Sequence, residues 1–263
     1  MVAVASIGGA APRKRMPRRD PLRVTPSEAI EAHVRAEIAK AEAILKDPGP
    51  ENLFDSPYLV SAVYYHDGFL ATYPTEKADG DPARRIIGHL ARQLTAEAKA
   101  RYLYTLNDYA RKVQPEFSAR FTMPVACEMP RRSRRTHQYA VDLFAREGSA
   151  VRSASDGVVI LAEGAWAIED PLSVSSREGG NTVIVYDAEA ARFYRYCHLE
   201  RALVRAGDPA TAGRPIGVVG HTGLNASRKG HGGHLHFEIN QYDGRSVRPL
   251  NYLEIREVLS GAG

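Results

Sequence analysis

Between residues 28 and 45 the apolar side chains Ile30, Val34, Ile38, Ala41 and Leu45 recur three or four positions apart, the repeat of one helix face. Thr25-Pro26-Ser27-Glu28 precedes them as a start signal, with Thr25 as N-cap, Pro26 in the first helical position and Glu28 reaching back to the cap. The turn-forming DPGP at residues 47–50 ends the run. A second helix is expected from Asp81-Pro82, with Ile87, Leu90, Leu94, Ala98, Tyr102 and Tyr109 along one side. Between the two, SPYLVSAVYYHD and GFLATYP read either as short strands or as a partly buried connector.

From about Phe121 the pattern changes. Short β-like runs, namely YAVDL, DGVVILA, NTVIVYD, RFYRYCHL, PIGVVG and HLHFEI, alternate with Gly and Pro breaks. The expected fold class is therefore α+β. A mainly helical region over residues 25–118 precedes a β-rich domain over residues 119–263, behind a basic, disordered tail at residues 1–24.

Composition adds limits rather than detail. With 263 residues, 44% apolar and 25% charged, the chain can bury a real hydrophobic core. No apolar run approaches the roughly 18–20 residues of a membrane-spanning helix. Cys127 and Cys197 are the only cysteines, too few for a disulfide framework. The positive charge is concentrated in Arg13, Lys14, Arg15, Arg18, Arg19 and Arg23, so a short tail and not a basic domain sets the balance. That tail reads as a solvated arm, with attraction to an anionic polymer as the second reading, and no nucleic-acid partner is expected. MVAVASIGGAA precedes the charges instead of following them and breaks at a Gly pair, so no signal peptide is read there.

The polar residues of the β-rich part carry the chemistry. Side chains alternate along a strand, so GGHLHFEIN places Leu235, Phe237 and Ile239 on one face, as core, and His234, His236, Glu238 and Asn240 on the other. THQYAVDL adds His137 and Asp142, and RYCHL adds His198. A catalytic zinc site takes three nitrogen or oxygen ligands and keeps a position for water. Two histidines and an aspartate would supply that set and leave two histidines to stabilise an oxyanion or exchange protons. In the helical region His33, His66 and His89 stand alone and read as ordinary surface or core residues. Strict alternation through RFYRYCH sets His198 with Tyr196 and Tyr194, and Cys197 with Arg195 and Phe193, which argues against a Cys197–His198 thiol nucleophile.

Taken in order, THQYAVDLFAREGSAVRSASDGVVILAEG, GGNTVIVYD, RYCHLE, GRPIGVVGHTG, GGHLHFEIN and DGRSVRPLNYL resemble the lysostaphin-like (LytM-type) zinc metallopeptidases over about residues 121–252. The resemblance implies a compact antiparallel β domain with a groove across its sheet. It implies one zinc ion per chain, held by His137, Asp142 and His236, with His198 and His234 as catalytic histidines beside it. The implied reaction is hydrolysis of peptide bonds in bacterial peptidoglycan, in cross-links or stem peptides, and the implied location is the cell envelope or beyond. Glu238 is then a supporting partner and not a ligand. Arg131, Arg132, Arg134 and Arg135 form a solvated loop or a grip for substrate carboxylates. One departure stands out: the family spaces its first histidine four residues before the aspartate, whereas His137 and Asp142 are five apart. In a regular strand they would face opposite ways, so His137 is expected in the loop ahead of the strand or beside a bulge. A catalytically silent module of the same fold and a zinc peptidase acting on a non-wall protein are the alternative readings.

Overall fold

The computed structural model describes residues 28–65, 81–114, 116, 121–127, 138–167, 169–174, 179–228 and 232–261. The basic tail with the Thr25 cap, the GFLATYP segment with His66, the arginines of residues 131–135, His137 and His231 lie outside the described residues.

Among the described residues the helices are α1 (Glu28–Lys46), α2 (Pro57–Tyr64), α3 (Pro82–Gln93), α4 (Ala96–Val113) and α5 (Tyr252–Ser260). Helix α1 follows its period and buries Val34, Ala41, Ile44 and Leu45. The expected long helix from Pro82 is instead two, because Thr95 starts a new one: its hydroxyl accepts from the Ala98 N–H at 3.2 Å. SPYLVSAVYY is neither strand nor connector but α2. Every residue from Tyr58 to Tyr64 is buried, so there is no polar face to reveal a period. Its signal was the start: Ser56 accepts from the Leu59 N–H at 3.3 Å with Pro57 in the first turn.

Among the described residues the strands are β1 (Val141–Phe144), β2 (Ala150–Arg152), β3 (Gly157–Glu163), β4 (Asn181–Asp187), β5 (Arg192–Ala202), β6 (Pro209–Ala210), β7 (Pro215–Val219), β8 (His234–Tyr242) and β9 (Val247–Pro249). They form one sheet, with the order β1-β8-β5-β4-β3-β6, and every recorded pairing is antiparallel. The expected α+β class with a mainly antiparallel sheet is the observed one. Beyond this path β7 pairs β5 and β2, while β9 pairs β8.

The two faces of the sheet bury different cores. Val183, Val185, Tyr194, Tyr196, Leu235, Phe237 and Ile239 pack on one face, covered in part by Tyr252, Ile255 and Leu259 of α5. Phe237 lies fully buried between Tyr196 and Tyr194, ring centroids 5.2 and 6.3 Å away. Burying one such ring contributes about 1.5–3 kcal/mol. On the opposite face Val158, Ile160, Ile184, Tyr186 and Phe193 meet the apolar sides of α1 to α4. The polar face of β8 belongs to this second side, where the helices sit.

Candidate functional site

Register brings the candidate residues together. Strand β1 pairs β8 so that Asp142 lies opposite His236 and Phe144 opposite His234. Residues directly opposite share a face. The Asp142 Oδ1 and His236 Nδ1 atoms are 2.9 Å apart, and both side chains are largely buried. On the other edge of the ring, His236 Nε2 lies 3.1 Å from Glu238 Oε1. Burial works against a charged imidazole here, but the bonds to Asp142 and Glu238 overcome it and push His236 up to about 9.

His198 reaches the same site by a departure from alternation. Cys197 pairs His236, and Arg195 pairs Glu238, so these two β5 side chains share the polar face of β8. Tyr194 and Tyr196 pair Ile239 and Phe237 on the core face. Strict alternation would send His198 to the core face with the tyrosines, and the structure overturns that expectation. The register slips between Asn181 and Val183, and His198 itself has φ +62. The slip is a bulge, which returns His198 to the face of its neighbour Cys197. It marks the point where β5 exchanges β8 for β7: Cys197↔His236 is the last pair with one, Leu199↔Val219 the first with the other. The backbone groups freed from the ladder are satisfied by flanking loops. His198 N–H donates to Gly179 O at 2.8 Å, and Gly220 N–H donates to His198 O at 3.0 Å.

Three imidazoles consequently meet. The His198 ring centroid lies 4.8 Å from that of His234 and 5.5 Å from that of His236. His198 Nδ1 is 2.8 Å from Thr222 O, and His234 Nδ1 is 2.9 Å from Gly232 O. A carbonyl oxygen only accepts, so Nδ1 carries the proton in both rings and Nε2 carries the lone pair of the neutral form. Burial, then the proximity of His236 and His234, holds His198 down to about 3 and keeps it neutral. Thr222, in the segment GHTG, is clamped by its hydroxyl, which accepts from Asn181 N–H at 2.9 Å and donates to Leu199 O at 2.7 Å. Gly180 is what lets that loop approach: it adopts φ +63, and a Cβ there would meet the Thr222 carbonyl carbon at 2.4 Å.

Cys197 shares the site face but lies fully buried, with its thiol beside the Thr182 hydroxyl at 3.6 Å. Burial pushes it up to about 11, so it stays a thiol. Burial, and not the face it points to, is therefore what bars Cys197 as a nucleophile. His221 stands apart from the three imidazoles, facing Glu147 Oε2 at 3.2 Å on the exposed rim.

Sequence reasoning missed the residues that hold Glu238. Its Oε1 accepts from Arg195 Nη1 at 2.9 Å, and its Oε2 accepts a short hydrogen bond from the Tyr64 hydroxyl of α2. Burial opposes this charge, but Arg195 and His236 keep the carboxyl well below the usual carboxylate range. No local pattern could have linked Tyr64 to Glu238, which lie 174 residues apart.

The donor set suits a borderline cation such as zinc. One carboxylate oxygen and one imidazole nitrogen face each other at 2.9 Å, within a few tenths of the roughly 3.3 Å between two ligands of a tetrahedral zinc. Among the described residues no group of three His, Cys, Asp or Glu side chains is arranged to hold a metal ion. The third expected ligand, His137, lies outside those residues.

The family model of Peptidase family M23 matches residues 136–249. A glycyl-glycine endopeptidase, ALE-1 of Staphylococcus capitis, is 31% identical over 121 residues, 45% of this chain and 29% of that protein. Lysostaphin of Staphylococcus simulans is 29% identical over 119 residues, 44% of this chain and 21% of that protein. The chain thus spans less than a third of the length of these curated relatives. The solved structure of lysostaphin from the same species aligns at 23% identity and a TM-score of 0.37, covering 56% of this chain and 51% of that one.

Proposed function

We propose that this chain, whose residues 136–249 match the family model of Peptidase family M23, is a zinc-dependent metalloendopeptidase that hydrolyses peptide bonds of bacterial peptidoglycan. The observation that carries the reading is the convergence of Asp142, His236, His198 and His234 on one face of the sheet. One relative is named a glycyl-glycine endopeptidase, which supports an endopeptidase reaction.

In this reading Asp142 and His236, with His137, hold one zinc ion per chain. Zinc, when bound, supplies Lewis acidity that polarises a carbonyl and lowers the pKa of a water. His198 and His234 do the proton work. Each has its Nδ1–H committed to a backbone carbonyl, so each presents Nε2 in a fixed direction. A neutral Nε2 accepts a proton from the attacking water, and a protonated one donates to the oxyanion or to the leaving amine. Held neutral by burial, His198 keeps the lone pair on its Nε2.

The test is metal analysis of the purified chain together with mass spectrometry of digested peptidoglycan. Near-stoichiometric zinc and new muropeptide termini are expected, with cleavage lost in Asp142→Ala, His234→Ala and His236→Ala. Cleavage that survives complete metal removal, or persists in His236→Ala, refutes the mechanism. Zinc binding without any cleavage points instead to a silent module or to a substrate outside the wall.

A further inference from the structure

We propose that the helical region is a working part of the metal centre, with Tyr64 of α2 as the positioning residue that acts on His236 through Glu238. This inference rests on the reading of His236 as a zinc ligand. The carboxylate of Glu238 is fixed at three points, by Arg195 at 2.9 Å, by His236 Nε2 at 3.1 Å and by the Tyr64 hydroxyl. Arg195 and His236 share Oε1, so Tyr64 is the group recorded on Oε2 that sets the rotation of the carboxylate plane.

That rotation matters because a neutral imidazole has one donor and one acceptor nitrogen. When Nε2–H donates to a fixed carboxylate, Nδ1 is left with the lone pair, aimed at Asp142. A supporting carboxylate of this kind sets both the tautomer and the direction of a metal-binding histidine, and its loss typically weakens metal binding about 10–100-fold.

Helix α2 is well anchored for this task. The Tyr64 carbonyl accepts from Asn240 Nδ2 at 3.0 Å, so α2 is bonded to two successive positions on the site face of β8, 238 and 240. The Tyr64 ring meets Phe193 edge-on at 6.1 Å and lies under the Arg195 guanidinium at 5.7 Å. Tyr64 is 1% exposed, so its hydroxyl is shielded from bulk solvent and its direction is set by the packing.

The experiment uses the full chain and its Tyr64→Phe variant, which keeps the ring and removes the hydroxyl. Zinc affinity is measured by competition with a chromogenic chelator, cobalt-substituted protein gives a visible absorption spectrum, and melting of the metal-free forms reports the fold. Expected are about tenfold weaker zinc binding and an altered cobalt spectrum in a folded Tyr64→Phe protein. Glu238→Gln is expected to weaken zinc at least as much, and adding Tyr64→Phe to it to change little further, because the two act in one chain. Should Tyr64→Phe alone fold poorly, the comparison of Glu238→Gln with the double variant still tests the coupling. Wild-type zinc affinity and an unchanged cobalt spectrum in Tyr64→Phe, or an equal loss in the Glu238→Gln background, overturn the inference. Failure of the wild-type chain to bind zinc overturns the functional reading and this inference together. Zinc binding without muropeptide cleavage, combined with the Tyr64→Phe effect, upholds the inference while refuting the substrate.

Discussion

Arg195→Met removes one partner of a buried ion pair and leaves the other in place. Arg195 is 6% exposed, and its Nη1 lies 2.9 Å from Glu238 Oε1. At that distance and an effective dielectric of about 20, the attraction is about 6 kcal/mol. In the intact pair, desolvation of the two charges offsets most of this, so the pair as a whole contributes little. The substitution removes the attraction but leaves Glu238 buried, a change that typically costs about 3–5 kcal/mol. The guanidinium also lies 5.7 Å from the Tyr64 ring and 5.9 Å from the Tyr65 ring, contacts worth about 0.5–2 kcal/mol. His236 and Tyr64 remain on the carboxylate and hold the loss toward the lower figure, about 3 kcal/mol. The assay is urea unfolding of chelator-treated protein at pH 7, so that metal does not enter, read as midpoint multiplied by slope. The double variant Arg195→Met with Glu238→Gln is expected to be destabilised by less than the sum of the single variants, since it buries no lone charge. A depressed carboxylate lends stability above its unfolded pKa and loses it as pH falls through the folded one. In wild type Arg195 holds Glu238 low, so Arg195→Met should begin to lose stability at a higher pH on acidification. A single variant within about 1 kcal/mol of wild type, or strictly additive losses, refutes the argument.

Other outcomes follow from the same geometry. In the metal-free chain His236 is pushed up to about 9, so a cation taking Nδ1 at pH 7 must displace a proton. Titration calorimetry in buffers of different ionisation enthalpy should show close to one proton released per zinc, with affinity rising up to about pH 9; buffer-independent heats would refute it. The same raised pKa lends the metal-free fold stability below about pH 6.5 that is lost as pH rises through about 9. Gly180→Ala and Gly148→Ala both place a side chain at positive φ, but only the first meets other atoms, the Thr222 carbonyl carbon at 2.4 Å. Gly148→Ala should cost about 1–2 kcal/mol; Gly180→Ala should cost more and disturb the His198 ring signals in NMR, and equal melting temperatures for the two would count against the clamp. Under native conditions a thiol reagent should modify Cys127 alone, because Cys197 is fully buried and pushed up to about 11. Rapid labelling of both thiols would contradict that burial.

What could be read from the sequence was what depends on near neighbours. The alternation of HLHFEIN separated Leu235, Phe237 and Ile239 from His234, His236 and Glu238, because a pleated strand sends successive side chains to opposite faces wherever it lies. The period of α1 was equally legible, since a surface helix needs one apolar stripe. Helix α2 was not, because a helix buried on every side carries no stripe. The His137–Asp142 spacing was visible as a departure, but the position of His137 lies outside the described residues.

The tertiary structure alone decided the rest. Alternation placed His198 on the wrong face, since a bulge against β4 falls where β5 changes partner between Cys197 and Leu199. The residues around Glu238 come from α2, β5 and β8, and their contacts depend on how the helices dock onto the sheet. Sequence determined which side chains were available and which local face each took. Packing determined which of those faces met, because contact between residues 174 positions apart is set by the shared burial of two surfaces and by no local rule.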